Sequence, residues 1–178
     1  MAIMKMNNSN NNNFEYDSSN IKIFFTQGII PNIFSQLLNS FEDSYGIFLG
    51  KYKKLKIEKS LDANSNVQEN QINIIINKVI FIFDKNYFSQ NEIKKVINTM
   101  EENEPEHSIL GILSIRKFSS PLISAKDQSI FFCLRNIMKK NLPFFFGAFT
   151  FNPRKPNEEN GVKMSSFESK MFYFDNNL

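Results

Sequence analysis

Apolar and polar positions along this chain predict strands and helices that are interspersed in no regular order. Ile21–Thr26 mixes β-branched and aromatic residues, which is typical of a strand. A helix is expected next, because Pro31 suits the first turn of a helix and apolar residues follow it at helical spacing. These apolar positions are Ile33, Phe34, Leu37, Leu38 and Phe41.

The middle of the chain predicts three strands and one polar loop. Tyr45–Tyr52 has the composition of a buried strand, and Lys54–Glu58 predicts a second strand after it. Asp62–Asn70 is polar and follows neither the helical nor the strand period, so a loop is expected there. Ile72–Phe83 is almost continuously apolar and predicts another strand, with a kink near positions 77 and 78.

A capping-box pattern predicts a helix after this strand. Ser89 stands three residues before Glu92, and this spacing satisfies free N–H groups at a helix start. The acidic stretch 101–106, which contains Pro105, is expected to end the helix. The apolar face of this helix consists of Ile93, Val96, Ile97 and Met100.

The last third of the chain predicts three strands and a helix. The helix is expected to begin at Ser124, which would cap it, and to run to Asn141. No regular strand–helix–strand rhythm and no glycine-rich phosphate loop is present, so the prediction is an α+β domain without a nucleotide fold. The three strands are Ile109–Ile115, Phe144–Phe151 and Met164–Phe174, with a loop expected over Asn152–Gly161.

Composition divides the chain into an arm and one domain. Met1–Asn20 is rich in Asn and lacks the apolar core of a signal peptide, so it predicts a disordered arm. Residues 21–178 suit one domain, because the chain has 178 residues and 42% hydrophobic content.

Charge and cysteine content exclude several partners. The net charge of +3 comes without a basic stripe interleaved with aromatic residues, so no nucleic-acid partner is expected. No stretch reaches the ~20 apolar residues that cross a bilayer, and no membrane partner is expected. The single cysteine, Cys133, indicates a core thiol in a reducing, intracellular setting, in the nucleus, the cytoplasm or both.

The segment from Gly111 to Asp127 resembles the JAMM signature of MPN-domain zinc isopeptidases without its two histidines. The histidine positions fall on Ser114 and Arg116, and the later Ser and Asp fall on Ser124 and Asp127. The upstream acid/base carboxylate of that signature corresponds to Asp43. Hydrolytic zinc needs three protein ligands and an open position for water. Only Asp127 of the ligand set remains, so the resemblance implies no metal, no cofactor and no catalysis.

Arg116 adds a permanent positive charge where the second imidazole would stand. Its guanidinium is expected either to pair with Asp127, in place of zinc, or to face solvent. Ser124 and Asp127 alone are also the ordinary N-cap and first-turn acid of a helix. The sole histidine, His107, precedes the strand and is expected at the surface after an acidic turn.

Agreement over several segments extends this resemblance to the Abraxas family of catalytically inactive MPN scaffolds. In that family, too, Arg occupies the second histidine position. Ile112 and Ser114 depart from the family's aromatic and basic residues. The resemblance implies an MPN fold with a mixed, curved sheet and flanking helices. The segments that carry it are Gln27–Gly28, Asp43–Gly50, Asn91–Ile97, Gly111–Lys117 and the helix that follows Ser124.

The resemblance implies a scaffold that pairs with a catalytic MPN-plus subunit and contacts polyubiquitin, if at all, through that subunit. The chains cut would be of the non-degradative signalling type, in a BRISC-like or DNA-damage-response complex. The helix face with Ile93, Val96, Ile97 and Met100 is the candidate contact surface, unless it packs on its own sheet. Members of the family continue past the domain into a coiled coil that pairs with the active subunit, whereas this sequence ends at Leu178. Three alternatives remain. The chain could be an inactive MPN subunit of the proteasome lid, the signalosome or translation initiation factor 3. It could also be a divergent remnant or a residual metal-dependent isopeptidase.

Overall fold

The computed structural model describes residues 3–6, 20–39, 43–62, 65–82, 90–138, 143–153 and 165–174. These residues form a curled, mixed seven-stranded sheet with three helices, so the predicted α+β class is confirmed. The strand order is β1-β7-β6-β5-β3-β4-β2. The elements are β1 (Ile3–Met6), β2 (Ile21–Phe25), α1 (Ile29–Asn39), β3 (Ser44–Asp62), β4 (Ser65–Ile82), α2 (Gln90–Asn103), β5 (Ser108–Lys117), α3 (Ala125–Met138), β6 (Phe144–Pro153) and β7 (Ser165–Phe174).

Helices cover both faces of the sheet and divide its core in two. Helix α1 buries Ile33 and Leu37 against one face, where Phe48 and Phe145 stack with ring centroids 5.4 Å apart. Helices α2 and α3 cover the other face, and Phe131 of α3 is fully buried there. Burial of such large aromatic side chains is a main favourable term in folding. No helix in the described part of the chain is long and apolar enough to cross a membrane.

Two bulges flank the glycines of the central strands. Pairing of β3 with β4 jumps from Lys78 to Ile76, which leaves Asn77 extruded and confirms the kink predicted there. Pairing of β3 with β5 jumps from Gly111 to Ile109 in the same way. A Cβ atom on Gly111 would overlap the Phe145 carbonyl of the neighbouring strand, so only glycine fits this register.

The predictions for the β3–β4 region were partly wrong. Lys54–Glu58 continues the strand that begins at Ser44. Of the predicted loop Asp62–Asn70, Asp62 and residues 65–70 are in strands, and residues 63–64 lie outside the described ones. The two strands stay paired to Asp62 and Ser65. Main-chain hydrogen bonds hold polar residues in a hairpin as well as apolar ones. An apolar pattern is therefore not required where the hairpin extends past the core.

Two smaller departures concern the start of the chain and the end of α2. Ile3–Met6 pairs in parallel with β7, so this part of the predicted disordered arm is an edge strand; residues 7–19 lie outside the described ones. These four residues precede the Asn tract and can pair with an open sheet edge. Helix α2 continues to Asn103, inside the predicted break. Pro105 disfavours the helical conformation only at the residue before it, Glu104.

Candidate functional site

The frame from Gly111 to Asp127 spans strand β5, a loop and the first turn of α3. Ser114 and Arg116 are two residues apart on β5 and therefore point to the same face of the sheet. That face is the one covered by α3, whose first turn carries Asp127. The fold thus brings Arg116, Ser124 and Asp127 together, while Ser114 is buried on the same strand.

Asp127 is fully buried at the start of α3, with 0% of its surface exposed. Its Oδ2 accepts hydrogen bonds from the Ser124 backbone N–H at 2.7 Å and from the Ser124 hydroxyl at 2.8 Å. In return the Asp127 N–H donates to Ser124 Oγ at 3.1 Å. This reciprocal pair is a capping box, so the prediction that Ser124 caps the helix is confirmed. The predicted continuation to Asn141 lies outside the described residues beyond Met138.

Arg116 is the charge partner of Asp127. Its Nη2 lies 3.3 Å from Asp127 Oδ2, and 13% of its side chain is exposed. Of the two orientations that the sequence allowed, the structure has the ion pair. The same Nη2 donates to the carbonyl oxygen of Leu122, which ties the β5–α3 loop to the pair. Arg116 Nε is buried without a hydrogen-bond partner among the described residues.

Tyr45 completes the cluster and was missed by the sequence reasoning. Its hydroxyl donates to Asp127 Oδ1 at 2.9 Å, and its backbone pairs with Ser114 across β3 and β5. Burial raises the pKa of the Tyr45 phenol well above its ordinary value of 10.0, and the nearby Asp127 charge raises the pKa further. Register between the two strands would have revealed Tyr45, since it stands opposite Ser114.

Asp43, the predicted counterpart of the acid/base carboxylate, lies half-buried just before β3. Its negative charge adds a small further rise to the pKa of Tyr45. It therefore belongs to the electrostatic surroundings of the cluster, near the position that the sequence assigned to it.

Zinc does not fit this set of residues. Both oxygens of Asp127 already accept hydrogen bonds, and a guanidinium stands beside Oδ2. Across the part of the chain that the structure describes, no group of three or more His, Cys, Asp or Glu side chains is arranged to hold a metal. A cation entering here would be repelled by the guanidinium of Arg116, which already neutralises the charge of Asp127.

His107 lies apart from the cluster, at the opposite end of β5. Its Nδ1 is 3.2 Å from Glu104 Oε2, and 14% of its side chain is exposed. The expected surface histidine is therefore mostly covered, because it pairs with the acidic turn before it. Cys133 is half-buried against the core beneath α2 and α3, in keeping with a packed thiol.

The predicted partner face of α2 is largely core. Ile97 is 4% exposed and Met100 is 7% exposed, both in the apolar cluster between α2, α3 and the sheet. Val96 is half-buried against that cluster, and the side chain of Ile93 lies outside the described residues. Ile97 and Met100 cannot serve as a contact surface, because the protein's own sheet covers them.

Comparisons with known proteins leave the family open. No protein-family model matches the chain, and no curated protein matches it in sequence. Among solved structures, the chain is similar to the solution structure of protein DSY2949 from Desulfitobacterium hafniense. That similarity has 12% identity and a TM-score of 0.42, over 88% of this chain and 94% of that one.

Proposed function

We propose that this protein is a non-catalytic MPN-type scaffold that resembles Abraxas and supports a catalytic JAMM deubiquitinase subunit. The observation that carries the proposal is the Arg116–Asp127 ion pair, at 3.3 Å, in the frame where an active domain holds zinc. The subunit it supports would cleave signalling-type polyubiquitin in a BRISC-like or DNA-damage-response complex. An inactive MPN subunit of another assembly would have the same chemistry at this cluster.

The geometry supports a structural role for the cluster. A hydrolytic site needs an open position for water and a group ready to accept a proton. Here the carboxylate of Asp127 is surrounded by donors from Tyr45, Ser124 and Arg116. These contacts join β3, β5 and α3 around one charge, so the ion pair holds the elements that a metal ion would otherwise hold.

A scaffold also needs an exposed contact surface, and three exposed apolar side chains provide a candidate. Phe118 is 75% exposed, Leu122 is 56% exposed and Leu38 is 59% exposed. All three are linked to the end of β5: Lys117 Nζ donates to the Leu38 carbonyl at 3.1 Å, and Arg116 donates to the Leu122 carbonyl. Exposed aromatic and aliphatic side chains that are held in place are typical anchors of protein interfaces.

The loop that carries Phe118 is held by its backbone. Phe118 has a φ of 56°, a left-handed conformation that is uncommon for an aromatic residue. Its N–H donates to the Phe151 carbonyl at 3.0 Å, and Asn152 Nδ2 donates to the Ser119 carbonyl at 3.1 Å. A strained residue that is exposed and firmly held suits a contact role better than a packing role.

Affinity purification of the tagged chain from its native cells, followed by mass spectrometry, tests the proposal. We expect a JAMM metalloprotease subunit to co-purify with the wild type and to be lost from the Phe118→Ser/Leu122→Ser variant. Phe24→Ser is the matched control, because Phe24 is also exposed, at 47%, but lies on β2. Absence of any JAMM subunit from the wild-type sample would sink the proposal.

The residual isopeptidase alternative makes the opposite forecast for the purified chain. It requires bound zinc by elemental analysis and cleavage of ubiquitin dimers, with both lost in Asp127→Ala. The scaffold proposal expects neither zinc nor cleavage from the wild type.

A further inference from the structure

The β3–β4 hairpin extends far beyond the strand that neighbours it. Strand β5 pairs with β3 only from Ser44 to Gly50, whereas β3 continues to Asp62. From Lys51 onward, the side of β3 away from β4 therefore has no strand partner among the described residues. An unpaired strand edge presents N–H and C=O groups that can pair with another extended segment.

This open edge carries four exposed lysines within six residues, namely Lys51, Lys53, Lys54 and Lys56. Their cross-strand partners on β4 are all uncharged, so the hairpin itself supplies no carboxylate opposite them. Those partners are Ile75, Asn73, Ile72 and Asn70.

The nearby titratable groups whose side chains the structure describes leave the edge positive. Glu106 lies 3.5 Å from Lys51, with both side chains more than half exposed, so the pair is weak and screened by salt. The phenol of Tyr52 donates to the Pro143 carbonyl at 2.7 Å, and burial raises its pKa, so it stays neutral. Edge lysines commonly prevent pairing with strands of other molecules. Acidic side chains on the incoming strand reverse that repulsion.

We propose that the edge from Lys51 to Lys56 binds an extended acidic segment of a partner protein by strand addition. Alternate side chains of a strand are about 6.6 Å apart, so acidic residues at every second position match the spacing of Lys51 and Lys53. Backbone hydrogen bonds supply the binding, and the lysines select the acidic sequence. This inference does not rest on the scaffold proposal, so either one can fail while the other holds.

Fluorescence anisotropy with a labelled ten-residue peptide of alternating Glu and Thr tests the inference. We expect saturable binding that weakens at least tenfold in the Lys51→Glu/Lys53→Glu variant. Lys94→Glu/Lys95→Glu is the matched control, because it makes the same charge change at exposed positions of α2 and should change affinity less than twofold.

Two further probes separate strand addition from charge attraction alone. The same peptide with an N-methyl group on every backbone nitrogen keeps its charge but has no N–H donor on either edge, so it cannot pair as a strand, and we expect it not to bind. A ten-nucleotide oligo(dT) tests nucleic acid as the occupant. Any of four outcomes would overturn the inference. The N-methylated peptide could bind with equal affinity, or both double variants could lose affinity equally. Oligo(dT) could bind more tightly than the Glu–Thr peptide, or the Glu–Thr peptide could fail to bind.

Discussion

Two charged clusters lie at opposite ends of strand β5, each around one cation–carboxylate pair, and they differ in burial. At the carboxyl end, Arg116 and Asp127 are 3.3 Å apart, and Asp127 is fully buried. At the amino end, Lys78 Nζ lies only 2.5 Å from Glu104 Oε1, with side chains 47% and 23% exposed. The Arg116–Asp127 pair matters more for stability although its contact is longer. When the Lys78–Glu104 pair breaks, water can solvate both charges, because both side chains are partly exposed.

The same contrast governs the titration of each cluster. Burial keeps the Tyr45 phenol protonated by raising its pKa, and the charge of Asp127 adds to this. The hydrogen bond from Lys78 lowers the pKa of Glu104, and His107 lowers it further. The Tyr45 phenol in the buried cluster thus stays protonated over the physiological range, while Glu104 in the exposed cluster responds to acid.

The largest effect is expected from Asp127→Ala. The substitution leaves the guanidinium of Arg116 mostly buried without its charge partner and removes the capping box of Ser124. We expect the free energy of unfolding, measured by urea denaturation, to fall by about 3–5 kcal/mol.

Glu102→Ala on the exposed side of α2 is the control and should change stability by less than about 0.5 kcal/mol. Adding Arg116→Met to the Asp127→Ala protein should cost less than Arg116→Met alone, because the two residues act as one unit. If the changes in the free energy of unfolding were additive, or if Asp127→Ala cost no more than the control, the ion pair would not stabilise the fold.

A smaller loss is expected from Tyr45→Phe. It removes one of the donors to Asp127 while three other contacts remain, so the free energy of unfolding should fall by about 1–2 kcal/mol. An unchanged unfolding midpoint in urea would mean that the Tyr45 hydroxyl contributes nothing to the cluster.

Alkaline titration of phenolate absorbance tests the same residue by its pKa. Because the folded pKa lies above that of an unfolded tyrosine, about 10, the stabilisation is complete below pH ~10 and is lost as the pH rises further. We expect one phenol with a raised pKa to disappear in Tyr45→Phe. The phenol of Tyr52, whose pKa is also raised by burial, should remain. A Tyr45 that ionises near pH 10 would contradict its burial beside a carboxylate.

The smallest effect is expected from Glu104→Gln in the exposed cluster. The folded pKa of Glu104 lies below its ordinary value of 4.5, so its contribution is present above pH 4.5 and is lost as the pH falls through the folded pKa. In thermal unfolding, the wild type should have a modestly higher midpoint temperature than Glu104→Gln at pH 7, and this advantage should be absent at pH 3. That advantage should shrink in high salt, and one that persists in 1 M salt would argue for a buried pair instead.

The sequence predicted structural features well where local patterns determine them. The cap at Ser124, the strand before Arg116 and the kink at Asn77 follow from residue types and spacing within a few positions. Tyr45 was missed because its role depends on the register between β3 and β5, which no local pattern contains.

One error and one open alternative have a common cause. The polar stretch 65–70 is strand because its partner strand pairs with it, which overrides the intrinsic preference of these residues. For the α2 stripe the sequence allowed either a contact surface or packing on its own sheet, and Ile97 and Met100 pack on the sheet. An amphipathic pattern identifies an apolar face and not what covers it.

Zinc binding by the Ser114→His/Arg116→His variant tests the central claim, that Arg116 takes the place of a metal beside Asp127, most directly. Calorimetry should give one zinc ion per chain for this variant and none for the wild type, and Asp127→Asn in addition should abolish the binding. Should the metal-free variant be unfolded, zinc-induced folding followed by circular dichroism reports the same event. No zinc binding by either readout, or zinc binding that survives Asp127→Asn, would contradict the claim.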